Sequence, residues 1–221
     1  MREIKLPNKR LGYYHINNKK YASVTTILQI IAKPALISWG IKQTAKAITE
    51  NPNIIKNEND VMSAVYGKRD KASERGKTLH SLLEVLKNGN PLPEVPDNLK
   101  GYVHALQSWW NTHNPKILEL EKLVYSEKYK YAGSCDLIAE IGNELYLCDL
   151  KTGKAIYEEY KLQISAYRQA LIEMGIKIQK AGLILLKEDG NFQFTESEDC
   201  LKPFLHAKAL WEWKNEPSNN K

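Results

Sequence analysis

A predicted β-hairpin around Gly142 and Asn143 limits the possible folds of this chain more than any other segment. SCDLIAEI precedes this dipeptide and ELYLCDLK follows it, and both segments are rich in residues typical of strands. A Gly-Asn pair between two such segments predicts a hairpin with a two-residue loop. In that register Asp136 lies directly opposite Asp149. Lys151 points to the same face as Asp149, because side chains alternate along a strand.

Two carboxylates at opposed positions of antiparallel strands repel each other and destabilise the pairing. A shared proton, Lys151 alone or a divalent cation could offset this cost. Carboxylate oxygens a few ångströms apart are suitable ligands for Mg²⁺ or Mn²⁺. The structural alternative is a solvated strand face on which Lys151 neutralises Asp136 and Asp149.

The segment after the hairpin predicts a helix that runs from near Tyr157 to about Met174 and ends at Gly175. Gln163 and Tyr167 are four residues apart in this segment. They therefore lie on one face of the predicted helix.

The motifs of the hairpin and this helix resemble those of the PD-(D/E)XK nuclease superfamily, and more narrowly its RecB-like and lambda-exonuclease-like branch. They are Asp136, then Asp149-Leu150-Lys151, then Gln163-x-x-x-Tyr167. An Asp-x-Lys motif alone is common by chance, but the ordered set on strand, strand and helix is specific. One departure is Cys135, which stands where the superfamily name has Pro.

This resemblance implies an α/β fold with a restriction-endonuclease-like core, in which helices flank a central mixed β-sheet, and a helical N-terminal half. We expect a single nuclease domain over residues 1–221. Residues 1–115 would form its mainly helical N-terminal part, residues 116–213 its sheet-containing catalytic core, and residues 214–221 a disordered tail.

The resemblance also implies a centre that binds one or two Mg²⁺ or Mn²⁺ ions. Asp136, Asp149 and the backbone carbonyl of Leu150 would be ligands. Lys151 would be catalytic together with the two carboxylates: it would position or deprotonate the attacking water, or balance charge on the phosphorane. The sequence does not separate these roles of Lys151.

His80 matches the helical His that this branch places before the Asp motif as a metal ligand, in a Gly-x-x-x-His context set by Gly76. Taken alone, a His beside an apolar helix face is more often structural. Glu84, four residues after His80, could orient its imidazole.

Related nucleases often carry a Glu on the strand before the Asp motif, and Glu121 is the candidate here. Glu119 and Glu127 are alternatives that differ only in strand register. Arg75 and Lys77 lie on the predicted helix of His80 and could line a path for phosphates, or could simply form a solvated face. Gln163 and Tyr167 are the other predicted DNA contacts.

The net charge of +6 and the pI of about 9.0 are typical of proteins with a polyanionic partner. The chain contains only three cysteines, too few for the four-cysteine iron–sulfur cluster found in some RecB-like nucleases, so we expect none. The charged start MREIKLPNKR lacks a signal-peptide pattern, and no apolar stretch approaches the roughly 20 residues of a membrane span. We therefore expect a cytoplasmic protein that acts on DNA and has no membrane partner.

The sequence thus favours a metal-dependent exonuclease that hydrolyses phosphodiester bonds from DNA ends with little sequence specificity, in recombination, repair or phage DNA processing. One alternative is an endonuclease of the same fold that recognises a structure or a sequence. Another is a non-catalytic nucleic-acid-binding protein, whose signature would be loss of Lys151 or of one Asp.

Overall fold

The computed structural model describes residues 12–50 and 55–216 of the chain. Seven strands form one sheet: β1 (Tyr13–Ile16), β2 (Lys19–Ser23), β3 (Lys116–Ser126), β4 (Tyr131–Ile141), β5 (Glu144–Thr152), β6 (Lys180–Leu186) and β7 (Phe192–Glu196). The helices are α1 (Val24–Ile27), which continues into a 3₁₀ turn, α2 (Pro34–Glu50), α3 (Glu58–Lys87), α4 (Asp97–His113), α5 (Glu158–Glu173) and α6 (Leu201–Asn215).

The sheet is mixed, with the strand order β1-β2-β4-β5-β6-β7 and with β3 paired to β4. β2 with β4 and β5 with β6 are parallel pairs, and the other pairs are antiparallel. Helices cover both faces, and their apolar side chains form two separate cores. The predicted α/β architecture, with helices flanking a central mixed sheet, is confirmed.

The β4–β5 hairpin has the predicted register, and Leu137 opposite Cys148 is the last regular pair before the motif residues. Gly142 occupies the first loop position at φ +62°. A glycine adopts this left-handed conformation without the steric cost of a side chain. The same register makes Asp136 and Asp149 the next facing positions along the hairpin.

The two cores are separated by the sheet. α3 and α4 cover one face and contribute Leu79, Leu106 and Trp109, all fully buried. α1, α5 and α6 cover the other face, where Ile164 and Phe204 are fully buried. A site at the end of the hairpin can therefore receive side chains from helices on both sides of the sheet.

α3 is one unbroken helix of 30 residues, although it contains Gly67 and Gly76. Its start is fixed by a capping box. The Asn57 side chain accepts hydrogen bonds from the backbone N–H groups of Asn59 and Asp60, and the Asp60 carboxylate accepts one from the N–H of Asn57. The reciprocal bonds satisfy donors that a helix start otherwise leaves unpaired.

Within the described residues, a gap interrupts the pairing along one side of β4. Tyr131 and Ala132 pair with β3 on one side, so β2, which pairs with the same two residues, lies on the other. β5 continues on that second side, but only along residues 137–141. Residues 133–136 thus have no paired strand there, and Asp136, the first residue of the predicted motif, lies in this interval.

The C-terminal end differs from the prediction. α6 extends to Asn215, so the first residues of the segment 214–221, predicted as a disordered tail, are helical. Residues 1–11, which begin the predicted N-terminal part, and residues 217–221 of the tail lie outside the described residues. In the part of the chain that the structure describes, no helix is both long and apolar enough to cross a membrane.

Two glycines inside helices should respond oppositely to the same substitution. A Cβ on Gly67 of α3 would meet no described atom within 4 Å, whereas a Cβ on Gly101 of α4 would lie 1.8 Å from the carbonyl oxygen of Glu188. We expect Gly67→Ala to raise the free energy of unfolding by about 0.5–1 kcal/mol, because alanine has the higher helix propensity. Gly101→Ala should lower it by about 1–3 kcal/mol through overpacking. Urea denaturation of both variants measures these two free energies. Destabilisation by Gly67→Ala would contradict the prediction.

Candidate active site

Three side chains from three separate elements meet beside the hairpin: His80 of α3, Glu121 of β3 and Asp136 of β4. One potential ligand atom of each lies within 4.8 Å of the other two. His80 Nδ1 is 2.8 Å from Glu121 Oε1, and His80 Nε2 is 3.6 Å from Asp136 Oδ2. All three line a cleft of about 610 Å³ that runs along α3. The cleft leaves this group open to a ligand from solvent.

Asp136 is held in place by the neighbouring strand. Its Oδ2 accepts a hydrogen bond of 2.7 Å from the backbone N–H of Leu150 in β5. The regular β4–β5 pairing ends at Leu137, and beyond it the Asp136 side chain, in place of a backbone carbonyl, accepts the hydrogen bond from β5. Asp136 is buried, and this bond fixes its carboxylate within reach of His80.

Glu121 lies in the interior of β3 with φ +47°, in the left-handed region that residues other than glycine rarely adopt. On either side of it, Leu120 still pairs with Leu137 and Lys122 with Cys135, so the register is unchanged. The unusual backbone therefore reorients one side chain without shifting the strand. Non-glycine residues held in this region are concentrated at functional sites.

The three acidic candidates of β3 and its following turn have different partners. Glu121 contacts His80, whereas Glu119 forms an ion pair of 3.1 Å with Lys122. Glu127 pairs with lysines of the β1–β2 hairpin and the β3–β4 turn. Of the three register alternatives, Glu121 is the one that the fold brings to His80 and Asp136.

The alternation of faces is interrupted at Glu121 and Asp136. Leu137 belongs to the core under α3 and α4, whereas Cys135, two residues earlier in β4, belongs to the core under α5. Residues two apart in a regular strand share a face, so the alternation of β4 is broken between Cys135 and Leu137. Asp136 thus contacts His80 of α3 on the same side of the sheet as Leu137, whereas Cys135 faces α5.

Asp149 and Lys151 form a second group next to the first. Lys151 Nζ lies 2.6 Å from Asp149 Oδ2, and Asp149 is only 1% exposed. Among the residues that the structure describes, no donor reaches either Asp149 oxygen with the angles of a hydrogen bond, despite the short ion pair. Asp149 also does not belong to the compact group of His80, Glu121 and Asp136. It is thus a buried carboxylate with an ammonium beside it and poorly satisfied oxygens.

The electrostatics reflect this crowding of charge. Burial, together with the charge of Asp149, raises the pKa of Asp136 to about 7, although Lys151 and His80 oppose the shift. Burial alone would lower the pKa of Lys151, but Asp149 and Asp136 outweigh it and the pKa is raised. The hydrogen bond with His80 holds the pKa of Glu121 below its ordinary value. Lys151 therefore stays protonated at neutral pH and partly neutralises the carboxylates.

The donor set fits a divalent cation. One imidazole and two carboxylates lie close enough together to share an ion, and the poorly satisfied oxygens of Asp149 are adjacent. Carboxylates suit Mg²⁺ and Mn²⁺, and the imidazole favours transition metals over Mg²⁺. His80, Glu121, Asp136 and Asp149 are therefore the residues that could hold a metal here.

The helix α5 begins and ends within one residue of the prediction, with Tyr157 as its N-cap and Met174 as its C-cap. Gln163 and Tyr167 form a pair in which Nε2 of the glutamine donates to the tyrosine hydroxyl at 3.1 Å. Tyr160, one turn before Gln163, places its ring centroid 5.2 Å from Lys151 Nζ. This helix therefore borders the Asp149–Lys151 group.

The two basic candidates of α3 have different surroundings. Lys77 lines the cleft, as does Glu84. Arg75 is engaged by the protein itself: its Nε donates to Thr152 Oγ1 at 3.4 Å, and its guanidinium lies 4.5 Å from the centroid of the Tyr102 ring. These contacts connect α3 to α4 and to the end of β5.

Several site neighbours were missed by the sequence analysis. Ser134 donates to Glu121 Oε2 at 3.4 Å, a contact that depends on the β3–β4 register. Tyr160 could have been found from its position three residues before Gln163 on the predicted helix. Cys135 and Cys148, which directly precede Asp136 and Asp149, are buried with free thiols. Burial raises the pKa of Cys135 to about 12 and also that of Cys148.

No protein-family model matches the chain, and neither does any curated protein sequence. Among solved structures, a Eubacterium rectale protein described as an exonuclease matches with a TM-score of 0.50 and 12% identity, over 98% of this chain and 86% of that chain. The alkaline exonuclease LHK-Exo of Laribacter hongkongensis gives a TM-score of 0.44 and 12% identity, over 86% of this chain and 84% of that chain. Its complex with dAMP gives 0.43 and 12%, over 87% of each chain.

At these identities the likeness concerns the fold alone. The match to the Eubacterium rectale protein spans nearly the whole chain, and its fold is of the kind that the Asp136, Asp-x-Lys and Gln-x-x-x-Tyr motifs imply. The expected fold class therefore agrees with an independent structural comparison.

The backbone of Glu121 supplies a test of the local strain. Glu121→Gly and Glu121→Ala both remove the carboxylate, but only glycine accepts φ +47° without strain. We expect Glu121→Gly to be more stable than Glu121→Ala by about 1 kcal/mol in chemical denaturation with a chelator present.

The matched control is Glu119, in the same strand but outside the left-handed region. There the order should reverse, because at a residue outside the left-handed region glycine weakens a strand by about 0.5–1 kcal/mol relative to alanine. An alanine variant at residue 121 as stable as the glycine variant would contradict the strain.

Proposed function

We propose that this chain is a metal-dependent deoxyribonuclease that hydrolyses phosphodiester bonds from DNA ends. The observation that supports this most strongly is the convergence of His80, Glu121 and Asp136 at an open cleft, beside the buried pair of Asp149 and Lys151. Nitrogen and carboxylate ligands next to an ammonium are groups that can hold a divalent cation and neutralise charge on a phosphodiester.

In this proposal the carboxylates of Asp136 and Asp149, the imidazole of His80 and the carbonyl of Leu150 bind one or two Mg²⁺ or Mn²⁺ ions. Glu121 completes the set. A divalent cation bound here would neutralise charge on the scissile phosphate and lower the pKa of a coordinated water. Asp136, with a pKa of about 7 in the absence of a cation, is a carboxylate whose ionised form needs additional positive charge.

Lys151 contributes positive charge at the reacting phosphate. Its ammonium lies next to Asp149 and stays protonated, so it is suited to orient the attacking water and to balance the negative charge of the phosphorane. The ring of Tyr160 covers one side of Lys151 and limits the positions that the ammonium can take.

DNA contacts follow from the charged and polar groups around the cleft. Lys77 lines the cleft and would contact a phosphate, with Arg75 nearby on the same helix. Tyr167 of α5 lies close enough to Asp149 and Asp136 to be affected by their charges, and it binds Gln163. Contacts to phosphates fix the position of a strand without identifying its bases, so we propose low sequence specificity. The net charge of +6 would assist capture of DNA.

An exonuclease is favoured over the alternatives by the branch that the motifs resemble. We place it in recombination, repair or phage DNA processing in the cytoplasm, where free thiols such as those of Cys135 and Cys148 persist. A non-catalytic DNA-binding protein is disfavoured, because Asp136, Asp149 and Lys151 are all present.

Removal of the central charged groups should abolish hydrolysis. We expect Asp149→Asn and Lys151→Ala to lower the rate of nucleotide release from end-labelled duplex or single-stranded DNA by at least about 100-fold with Mg²⁺ or Mn²⁺. Lys202→Ala, an exposed lysine of α6, which packs on the opposite face of the sheet, is the matched control and should keep the wild-type rate. Circular dichroism and thermal unfolding would verify that each variant is folded.

Wild-type activity in Asp149→Asn or Lys151→Ala would contradict the proposed site. Covalently closed circular DNA separates the two catalytic alternatives, since an enzyme that needs an end leaves it intact. Discrete fragments from the circle would instead favour an endonuclease.

Metal binding should depend on His80. In calorimetric titration with Mn²⁺, we expect His80→Ala to weaken binding by at least about 10-fold, because the imidazole is one of few ligands. His206→Ala, an exposed histidine of α6, should bind like the wild type. Equal affinity in His80→Ala and the wild type would assign His80 a structural role.

A further inference from the structure

The aromatic ring of Tyr167 packs against Gly133, which lies in the gap along β4 between β2 and β5. A Cβ atom on residue 133 would lie 2.3 Å from Cε1 of Tyr167 and 2.8 Å from its hydroxyl oxygen. Both distances are far below van der Waals contact, so any side chain at residue 133 would displace the ring. The depth at which Tyr167 lies therefore depends on a glycine three residues before Asp136.

Tyr167 is enclosed, and its surface is 2% exposed. Its hydroxyl accepts the hydrogen bond from Gln163 at 3.1 Å. Burial first, and then the charges of Asp149 and Asp136, raise the pKa of Tyr167 well above its ordinary value, so the hydroxyl keeps its proton. A side chain so completely covered offers almost no surface to DNA, whereas the partly exposed Gln163 does.

The amide of Gln163 retains groups for a ligand. A glutamine has two N–H donors and a carbonyl acceptor, and one N–H is engaged by Tyr167. The second N–H can donate to a phosphate oxygen or to a water at the site. Holding the glutamine through Tyr167 reduces its rotamer freedom before DNA binds, which lowers the entropy lost on binding.

We propose that Tyr167 is a positioning residue that rests on Gly133 and orients the amide of Gln163, and that of these two residues only Gln163 contacts DNA. The sequence pattern assigned a DNA contact to both residues. This inference rests on the proposed nuclease function, because it assigns different roles to Gln163 and Tyr167, both of which were predicted to contact DNA.

A double-mutant cycle with Gln163→Ala, Tyr167→Phe and the combined variant tests the division. Phenylalanine keeps the ring on Gly133 and removes only the hydroxyl. We expect Gln163→Ala to lower kcat/KM about 100-fold and Tyr167→Phe about 10-fold, with the combined variant no worse than Gln163→Ala. A direct DNA contact by Tyr167 would instead give additive losses, about 1000-fold in the combined variant, and would overturn the inference.

Thermal unfolding separates this role from a purely structural one. If Tyr167 only stabilised the core, Tyr167→Phe would lower the melting temperature and leave kcat/KM unchanged, which would also overturn the inference. Fluorescence anisotropy with labelled DNA in Ca²⁺ gives the same cycle for the dissociation constant.

Gly133→Ala provides a second, independent arm. It should lower kcat/KM at least as much as Tyr167→Phe, and it should add little in the Gln163→Ala background, because its effect also passes through the glutamine. Gly67→Ala, where a Cβ meets no described atom within 4 Å, is the matched glycine control. Undiminished activity in a folded Gly133→Ala variant would show that activity does not depend on the packing of the Tyr167 ring against residue 133, and would contradict the inference.

The two levels of the proposal fail differently. A wild-type chain that binds DNA but does not hydrolyse it contradicts the nuclease function, and the cycle on the dissociation constant still decides the role of Tyr167. An active wild type with additive losses contradicts only the positioning role. A wild type that neither binds nor hydrolyses DNA contradicts both.

Discussion

The repulsion between two buried carboxylates, Asp136 and Asp149, is the constraint on which the arrangement of this protein depends. The hairpin register brings them to facing positions, and burial removes most of the water that would screen them. The protein offsets the cost with Lys151, with the N–H of Leu150 and with His80. The raised pKa of Asp136 indicates that the compensation is incomplete. A buried negative group with insufficient positive charge is what a cation site requires before the cation arrives.

The second structural requirement of the proposed function is that helices on opposite faces of the sheet contribute to one site. His80 comes from α3 on one face, and Gln163 from α5 on the other. A regular sheet would separate them. The left-handed backbone of Glu121 and the broken alternation of β4 at Asp136 interrupt the regular sheet at this point. The strained backbone of Glu121 places its carboxylate in contact with the imidazole of His80.

The sequence predicted those features that depend on local chemistry. The Gly142-Asn143 dipeptide determined the hairpin register, and periodicity with an ending at Gly175 located α5 to within a residue. What could not be predicted depends on contacts between distant elements. Glu121 was the chosen candidate, with Glu119 and Glu127 as register alternatives, because its left-handed backbone and its contact with His80 are not visible in the sequence. The contacts of Arg75 with Tyr102 and Thr152 likewise exist only once α3, α4 and β5 are assembled.

Oxidation of the two cysteines beside the motif carboxylates would show that the hairpin has opened. Cys135 and Cys148 have no contact with solvent in the closed sheet, and their raised pKa values keep them as unreactive thiols. If β4 and β5 separate, both thiols reach water and their pKa values return towards normal, so oxidation can trap the separated strands. Oxidation of these thiols should therefore accumulate in those molecules whose hairpin has opened, and it would keep Asp136 and Asp149 apart for as long as the thiols stay oxidised.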